Sequence, residues 1–309
     1  MTEPLKAPFA DALIKRVRQL GHPLCVGFDP HLDRIPSPFR RGSMRPEDPA
    51  TADAVADFLG AVLERVAERV SVIKPHAAFF EQLGWPGLKV LQELVTKARE
   101  LGVLVLMDAK RGDIGSTAKA YAAAHLGADA PFPAHALTVN PYLGLDTLEP
   151  FIERAASTGA GVFVLVRTSN PGAGTFQDLK DADGRPLFHA VAEALAAPST
   201  RLAGAIGFSG LGVVFGATWP GEAEAVRERL PHALVLVPGY GAQGGSAKDA
   251  VRAFVPGPNG LEGGVVSSSR GILFPAAAGD SMSAWEAAFE AGLDQAIDEL
   301  GDAVAGGEP

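Results

Sequence analysis

The stretch Val103-Leu104-Val105-Leu106-Met107-Asp108-Ala109-Lys110-Arg111-Gly112-Asp113 decides how the rest of the chain is read. Its apolar run is short for a helix and lacks the alternation of a half-exposed strand, so it reads as a strand buried on both faces, the mark of a parallel sheet. The run stops in charged residues, and residues 117–126 then show helical spacing. Working outward, the same unit recurs along the chain. The spacing predicts strands at 24–28, 70–74, 103–107, 136–140, 161–166, 211–215, 234–237 and 264–267. Helices are predicted at 51–68, 87–101, 117–126, 146–157, 186–197, 222–229, 247–253 and 283–300. Strands alternating with helices imply crossover connections, and eight such units imply an α/β fold of the (β/α)8 TIM-barrel type. We read residues 1–309 as a single domain, with a long surface loop over 33–50, an insertion at 172–185 and a C-terminal tail after 276. Helix 51–68 starts at Thr51, an N-cap residue type, and carries Val55, Phe58, Leu59, Val62 and Val66 on one stripe that should face the sheet.

Composition narrows the functional classes. With 47% hydrophobic and 20% charged residues, the chain is an ordinary globular one. Its 27 basic against 36 acidic residues leave a net charge of −9, which disfavours extended nucleic-acid or anionic membrane surfaces. Any phosphate it binds should be small and held in a dedicated pocket. A lone cysteine, Cys25, excludes an intrachain disulfide and fits a reducing, cytoplasmic setting; it reads as a core residue of the first strand. Residues Met1 to Arg18 lack the continuous apolar core of a signal peptide. The longest uncharged stretch, Leu202 to Trp219, carries five glycines and ends at Pro220, which argues against a membrane helix. The seven histidines show no metal-ligand spacing, and neither a dinucleotide fingerprint nor a P-loop is present, so no metal or cofactor is expected.

In such a barrel the chemistry sits at the C-terminal strand ends. Asp29, Lys74 and the run Asp108, Lys110, Asp113 all fall there. If Asp108 still belongs to its strand, period-two alternation sends Lys110 to the same side, and a ring of alternating Lys and Asp becomes possible. Two carboxylates about 4 Å apart repel by about 4 kcal/mol at an effective dielectric of about 20, so interleaved lysines would hold them ionised. A fixed negative charge beside a substrate anion, with an ammonium next to the carbon that gains charge, is a layout for decarboxylation. The plainer alternative is a solvated turn with a local salt bridge. A second group, Pro238-Gly239-Tyr240-Gly241-Ala242-Gln243-Gly244-Gly245 with Ser267-Ser268-Ser269-Arg270-Gly271, follows strands seven and eight, where barrels bind phosphate. Phe79 and Phe80 read as packing residues.

These segments, with Cys25-Val26-Gly27-Phe28-Asp29-Pro30, Val72-Ile73-Lys74-Pro75, Val139-Asn140-Pro141-Tyr142 and Thr168-Ser169-Asn170-Pro171-Gly172, resemble orotidine 5′-phosphate decarboxylases of the longer bacterial (type 2) subfamily. The resemblance implies a cofactor-free barrel that converts orotidine 5′-monophosphate (OMP) to UMP and CO2, the last step of de novo pyrimidine (UMP) synthesis. It implies Lys110 as proton donor to C6, Asp108 as the carboxylate facing the substrate carboxylate, Lys74 as the link to the ribose and Asp29 as a ribose contact. Asp113, Ile114 and Thr117 resemble residues lent across a homodimer interface into the neighbouring site. Ser169 is matched to the pyrimidine, with Thr168 beside it as the alternative, and Pro238, Gln243 and Arg270 to the phosphate and its closing loop. Two other readings remain: a Mg2+-dependent sugar-phosphate decarboxylase or hexulose-phosphate synthase of the same barrel type, and a nucleotide binder without chemistry.

Overall fold

The apolar runs close into one sheet because each is buried on both of its faces. The computed structural model describes residues 7–241, 244–276 and 279–306. The chain forms α1 (Phe9–Leu20), β1 (Leu24–Phe28), α2 (Pro49–Val66), β2 (Val72–Pro75), α3 (Ala77–Glu81), α4 (Gly84–Glu100), β3 (Leu104–Arg111), α5 (Gly115–His125), β4 (Ala136–Val139), α6 (Glu149–Thr158) and β5 (Gly161–Arg167). It continues through α7 (Gly174–Gln177), α8 (Leu187–Ser199), β6 (Ser209–Phe215), α9 (Ala223–Arg229), β7 (Ala233–Val237) and α10 (Ala247–Ala250). A hairpin of β8 (Val255–Gly257) and β9 (Gly260–Glu262) precedes β10 (Gly264–Ser268), α11 (Arg270–Leu273) and α12 (Met282–Ala305). The barrel is closed in the order β1-β10-β7-β6-β5-β4-β3-β2, with all neighbours parallel. This is the expected (β/α)8 architecture.

Alternation along each strand divides the core in two. Leu24, Val26 and Phe28 of β1 join the shell between sheet and helices, whereas Cys25 joins the barrel interior with Val72, Leu104, Leu106, Ala136, Phe163, Val214, Leu234, Leu236 and Val265. Burial pushes the Cys25 thiol up to about 12, so it stays a neutral core residue at physiological pH. Helix α1 closes the barrel floor: Phe9, Ala10, Leu13, Ile14 and Val17 pack into the interior, and Phe9 meets Phe163 edge to face at 6.0 Å. It stands outside the predicted helices because it precedes the first strand, where the strand–helix alternation implies nothing.

Several boundaries differ from expectation for identifiable reasons. Asp48, not Thr51, caps α2, accepting from the Ala50 N–H at 3.0 Å; Thr51 is buried and donates to the Arg45 carbonyl at 2.7 Å. The stretch after β1 is no mere surface loop, since it lays Ile35, Phe39 and Met44 into the core, and Phe39 sits 4.7 Å from the Trp285 ring. The tail after Ala276 is likewise structural: Trp285, Phe289, Leu293 and Leu300 bury one face of α12 completely. Helix α10 stops at Ala250, short of Ala253, and the β8–β9 hairpin occupies sequence read as connection. Among the described residues no helix is long and apolar enough to cross a membrane; Leu202 to Trp219 holds β6.

The fold also carries an acid sensitivity. His125 and His135 are buried, and burial lowers their pKa values to about 4 and about 3. His135 Nδ1 accepts the Val105 N–H at 2.9 Å, a bond that requires the neutral ring. Both folded values lie below the unfolded one, so this stability is complete above about pH 6.5 and is lost as pH falls, at about 1.4 kcal/mol per pH unit for each ring. We expect the melting temperature to drop steeply between pH 6.5 and 4.5, and the drop to flatten in His135→Asn, whose amide oxygen accepts the same N–H. A melting temperature constant across that range would overturn the assignment.

Candidate active site

The strand ends place four charges in one cluster. Asp29 follows β1, Lys74 lies on β2, and Asp108 and Lys110 lie on β3, all with the inward parity of the interior residues. They line a cavity of about 560 Å³ at the C-terminal mouth of the barrel. Asp108 is its hub. Lys74 Nζ stands 2.9 Å from Asp108 Oδ2, Lys110 Nζ 2.5 Å from Oδ1, and Thr138 Oγ1 donates to Oδ1 at 2.9 Å. Burial pushes the Asp108 carboxyl up, but Lys74 and Lys110 outweigh it and hold the group well below the usual carboxylate range. Lys74 is the mirror case: burial pulls its ammonium down, while Asp108 and Asp29 more than restore it and raise it. The pair is therefore ionised at neutral pH.

Strand β3 does not end at Met107 as expected but runs to Arg111, and it is irregular there. The pairing jumps from Met107 opposite Leu137 to Arg111 opposite Val139, so three residues of β3 face one of β4. Within this bulge Lys110 adopts a left-handed φ of 47°. For a residue with a side chain that conformation costs about 1–2 kcal/mol, the kind of strain that accumulates at functional sites.

A second wall positions the loop after β5. Arg167 is buried, donates from Nε to Glu222 at 2.7 Å and stacks on Trp219 at 3.8 Å; its Nη1 stands 2.7 Å from Asp178 of the 172–185 insertion. Trp219 Nε1 donates to the Thr168 carbonyl at 2.9 Å, and Gln177, also of the insertion, receives the Thr168 N–H at 3.0 Å. The insertion thus braces the loop that carries Thr168 and Ser169. Both line the cavity, but the Thr168 hydroxyl is engaged by Gln177 at 2.8 Å and Asn170 at 2.7 Å. Gly216 permits the close approach: a Cβ there would lie 2.8 Å from Ser169 Cα.

Pro238, Gly239 and Tyr240 after β7 and Ser269 and Arg270 after β10 complete the same cavity. Tyr240 donates to Glu299 of α12 at 2.5 Å, tying the glycine-rich loop to the C-terminal helix. Among the described residues no carboxylate pairs with Arg270, and Gln243 lies outside the described residues. Asp113, Ile114 and Thr117 do not line this cavity. They sit at the start of α5, where Asp113 Oδ1 accepts the Ile114 N–H at 2.8 Å and the Ile114 side chain is 63% exposed.

Some site residues escape the sequence reading. His76, two residues beyond Lys74 and so of the same parity, places Nδ1 3.9 Å from oxygens of both Asp29 and Asp108. Burial lowers its pKa, which keeps it neutral at pH 7. Thr138 is an inward position of β4, and Phe79 lines the cavity whereas Phe80 is core. Leu165, Val214 and Leu236 form an apolar wall opposite the charges.

Charged groups at the C-terminal strand mouths of a (β/α)8 barrel, gathered around one cavity, are the arrangement of a barrel enzyme. The match to known proteins is more specific. Residues 22–288 match the model of the Orotidine 5′-phosphate decarboxylase / HUMPS family, and the chain belongs to that family. It is 45% identical over 270 residues to the orotidine 5′-phosphate decarboxylase of Rhodopirellula baltica, covering 86% of this chain and 88% of that one. The Deinococcus radiodurans orotidine 5′-phosphate decarboxylase is 39% identical over 273 residues, covering 86% and 89%. Among solved structures, the OMP decarboxylase of Leishmania donovani superposes with a TM-score of 0.75 at 31% identity, covering 97% of this chain and 100% of that one.

Proposed function

We propose that this protein decarboxylates OMP to UMP and CO2, the last step of de novo UMP synthesis, and that it does so with its own side chains alone. The observation that carries the proposal is the Lys74–Asp108–Lys110 chain, two short contacts on one buried carboxylate at the cavity wall. The ionised Asp108 would face the substrate carboxylate and favour its departure. As the C6–carboxylate bond breaks, its electron pair stays on C6. Lys110 stabilises that charge and delivers a proton to it, and water reprotonates the lysine. Asp29 Oδ1 is buried and makes no hydrogen bond among the described residues, ready to accept a ribose hydroxyl beside Lys74. Ser169, whose neighbour Thr168 is already engaged, takes the pyrimidine polar edge, and the ring packs on Leu165, Val214 and Leu236. Arg270, with Gln243 and the loop from Pro238, holds the phosphate. Binding there drives loop closure and excludes water from the charges.

The same reading makes the enzyme a homodimer. Asp113 does not reach its own cavity, and Ile114 at 63%, Tyr142 at 80%, Leu143 at 50% and Leu145 at 45% exposure leave apolar side chains on the loops after β3 and β4. A second copy covering them would bring Asp113, Ile114 and Thr117 into its partner's site. A Mg2+-dependent sugar-phosphate reaction fits less well, since two ammonium groups and a hydroxyl occupy the Asp108 oxygens that a cation would need. A cytoplasmic setting accords with the single buried thiol. The deciding experiment follows the loss of OMP absorbance with and without EDTA. Rapid conversion to UMP insensitive to EDTA is expected; no conversion, or conversion abolished by EDTA and restored by Mg2+, defeats the proposal.

A further inference from the structure

We propose that Thr138 is a positioning residue for the reaction, its single hydroxyl holding Asp108 and Lys110 in their mutual geometry; this rests on reading those two residues as the reacting pair. The argument starts from the bulge in β3. Because Asp108, Ala109 and Lys110 together face only Thr138 on β4, their backbone groups lose the regular ladder that a parallel neighbour supplies. The Thr138 side chain takes over. Its Oγ1 accepts the N–H of Ala109 at 3.0 Å and of Lys110 at 2.9 Å, and donates its own proton to Asp108 Oδ1 at 2.9 Å.

A hydroxyl has one donor and two acceptor sites, and all three are used here. The two accepted bonds hold the backbone where Lys110 turns left-handed, the turn that folds its ammonium back onto Asp108. The donated bond sets the carboxylate, leaving Oδ2 for Lys74. Thr138 is 1% exposed, so its hydroxyl is held among these partners with almost no surface open to solvent. Neither the alternation of β4 nor the motif of β3 contains this contact; it exists only where the two strands meet out of register.

The test compares Thr138→Val, which keeps the shape and removes all three bonds, with Thr138→Ser, which keeps the hydroxyl. With reactive groups displaced on the ångström scale, kcat should fall about 100-fold in T138V, while KM for OMP and the Kd for UMP stay within about threefold and T138S recovers most of kcat. A T138V enzyme with wild-type kcat would overturn the inference. So would a T138S variant as impaired as T138V, or a loss of UMP affinity matching the loss of kcat. Hydrogen exchange gives a readout independent of turnover: the amides of Ala109 and Lys110 should exchange about 10-fold faster in T138V than in wild type and T138S. Unchanged exchange there defeats the role of the hydroxyl even if the wild type proves not to decarboxylate OMP, an outcome that defeats the functional reading by itself. Should T138V not fold, Thr138→Ala against T138S supplies the same comparison.

Discussion

Replacing Lys110 by alanine should reduce decarboxylation by about 10⁴-fold or more while UMP still binds. The magnitude combines a general acid, worth about 10²–10⁴, with loss of the cation beside the carbon that gains charge. Product binding survives because the phosphate grip around Arg270 and the apolar wall of Leu165, Val214 and Leu236 lie elsewhere in the cavity. Asp108 would keep Lys74 and Thr138 as partners, so the pocket should remain folded. UMP formation at the wild-type rate would remove Lys110 as proton donor. The same variant tests the dimer. Mixed and re-equilibrated with Asp113→Ala, it should recover about a quarter of the wild-type activity, because half of the two-fold dimers then hold one intact site. No recovery from two folded variants that exchange subunits would place Asp113 outside the partner's site.

The second large effect is expected at Arg270. In Arg270→Ala the KM for OMP should rise about 100-fold, the equivalent of about 3 kcal/mol, as expected for charge-assisted bonds to a phosphate lost from a partly buried site. Among the described residues no carboxylate neutralises this guanidinium, so its charge is available to a ligand. Since phosphate binding is proposed to drive closure of the loop from Pro238, kcat/KM should fall by at least as much, and the loss should be small for the dephosphorylated nucleoside. Unchanged KM and kcat would take Arg270 out of the phosphate site.

Much of this site was legible along the chain. Asp29, Lys74 and Asp108 end predicted apolar runs, and in a barrel those strand ends meet at one mouth, which made a shared cluster possible from the sequence. The glycine-rich segment and Arg270 likewise follow two predicted strands at the place where barrels bind phosphate. His76 was within reach of the same parity argument applied one step past Lys74. Thr138 was not, because an inward threonine in a buried strand carries no local sign of what it meets. Nor was the difference in surroundings of Thr168 and Ser169: only the packing of the insertion brings Gln177 onto the Thr168 N–H and hydroxyl.

The sequence by itself determined the eight barrel strands, their order along the chain and the charged residues at their ends, because a run buried on both faces is written in neighbouring residues. The tertiary structure alone decided that Lys110 turns left-handed in a bulge, that Thr138 holds that bulge, that α1 closes the barrel floor, and that Asp113 stays out of its own chain's cavity. Each of these depends on the register and curvature with which distant segments meet when the sheet closes, and such long-range geometry leaves no periodic trace in a local stretch of chain.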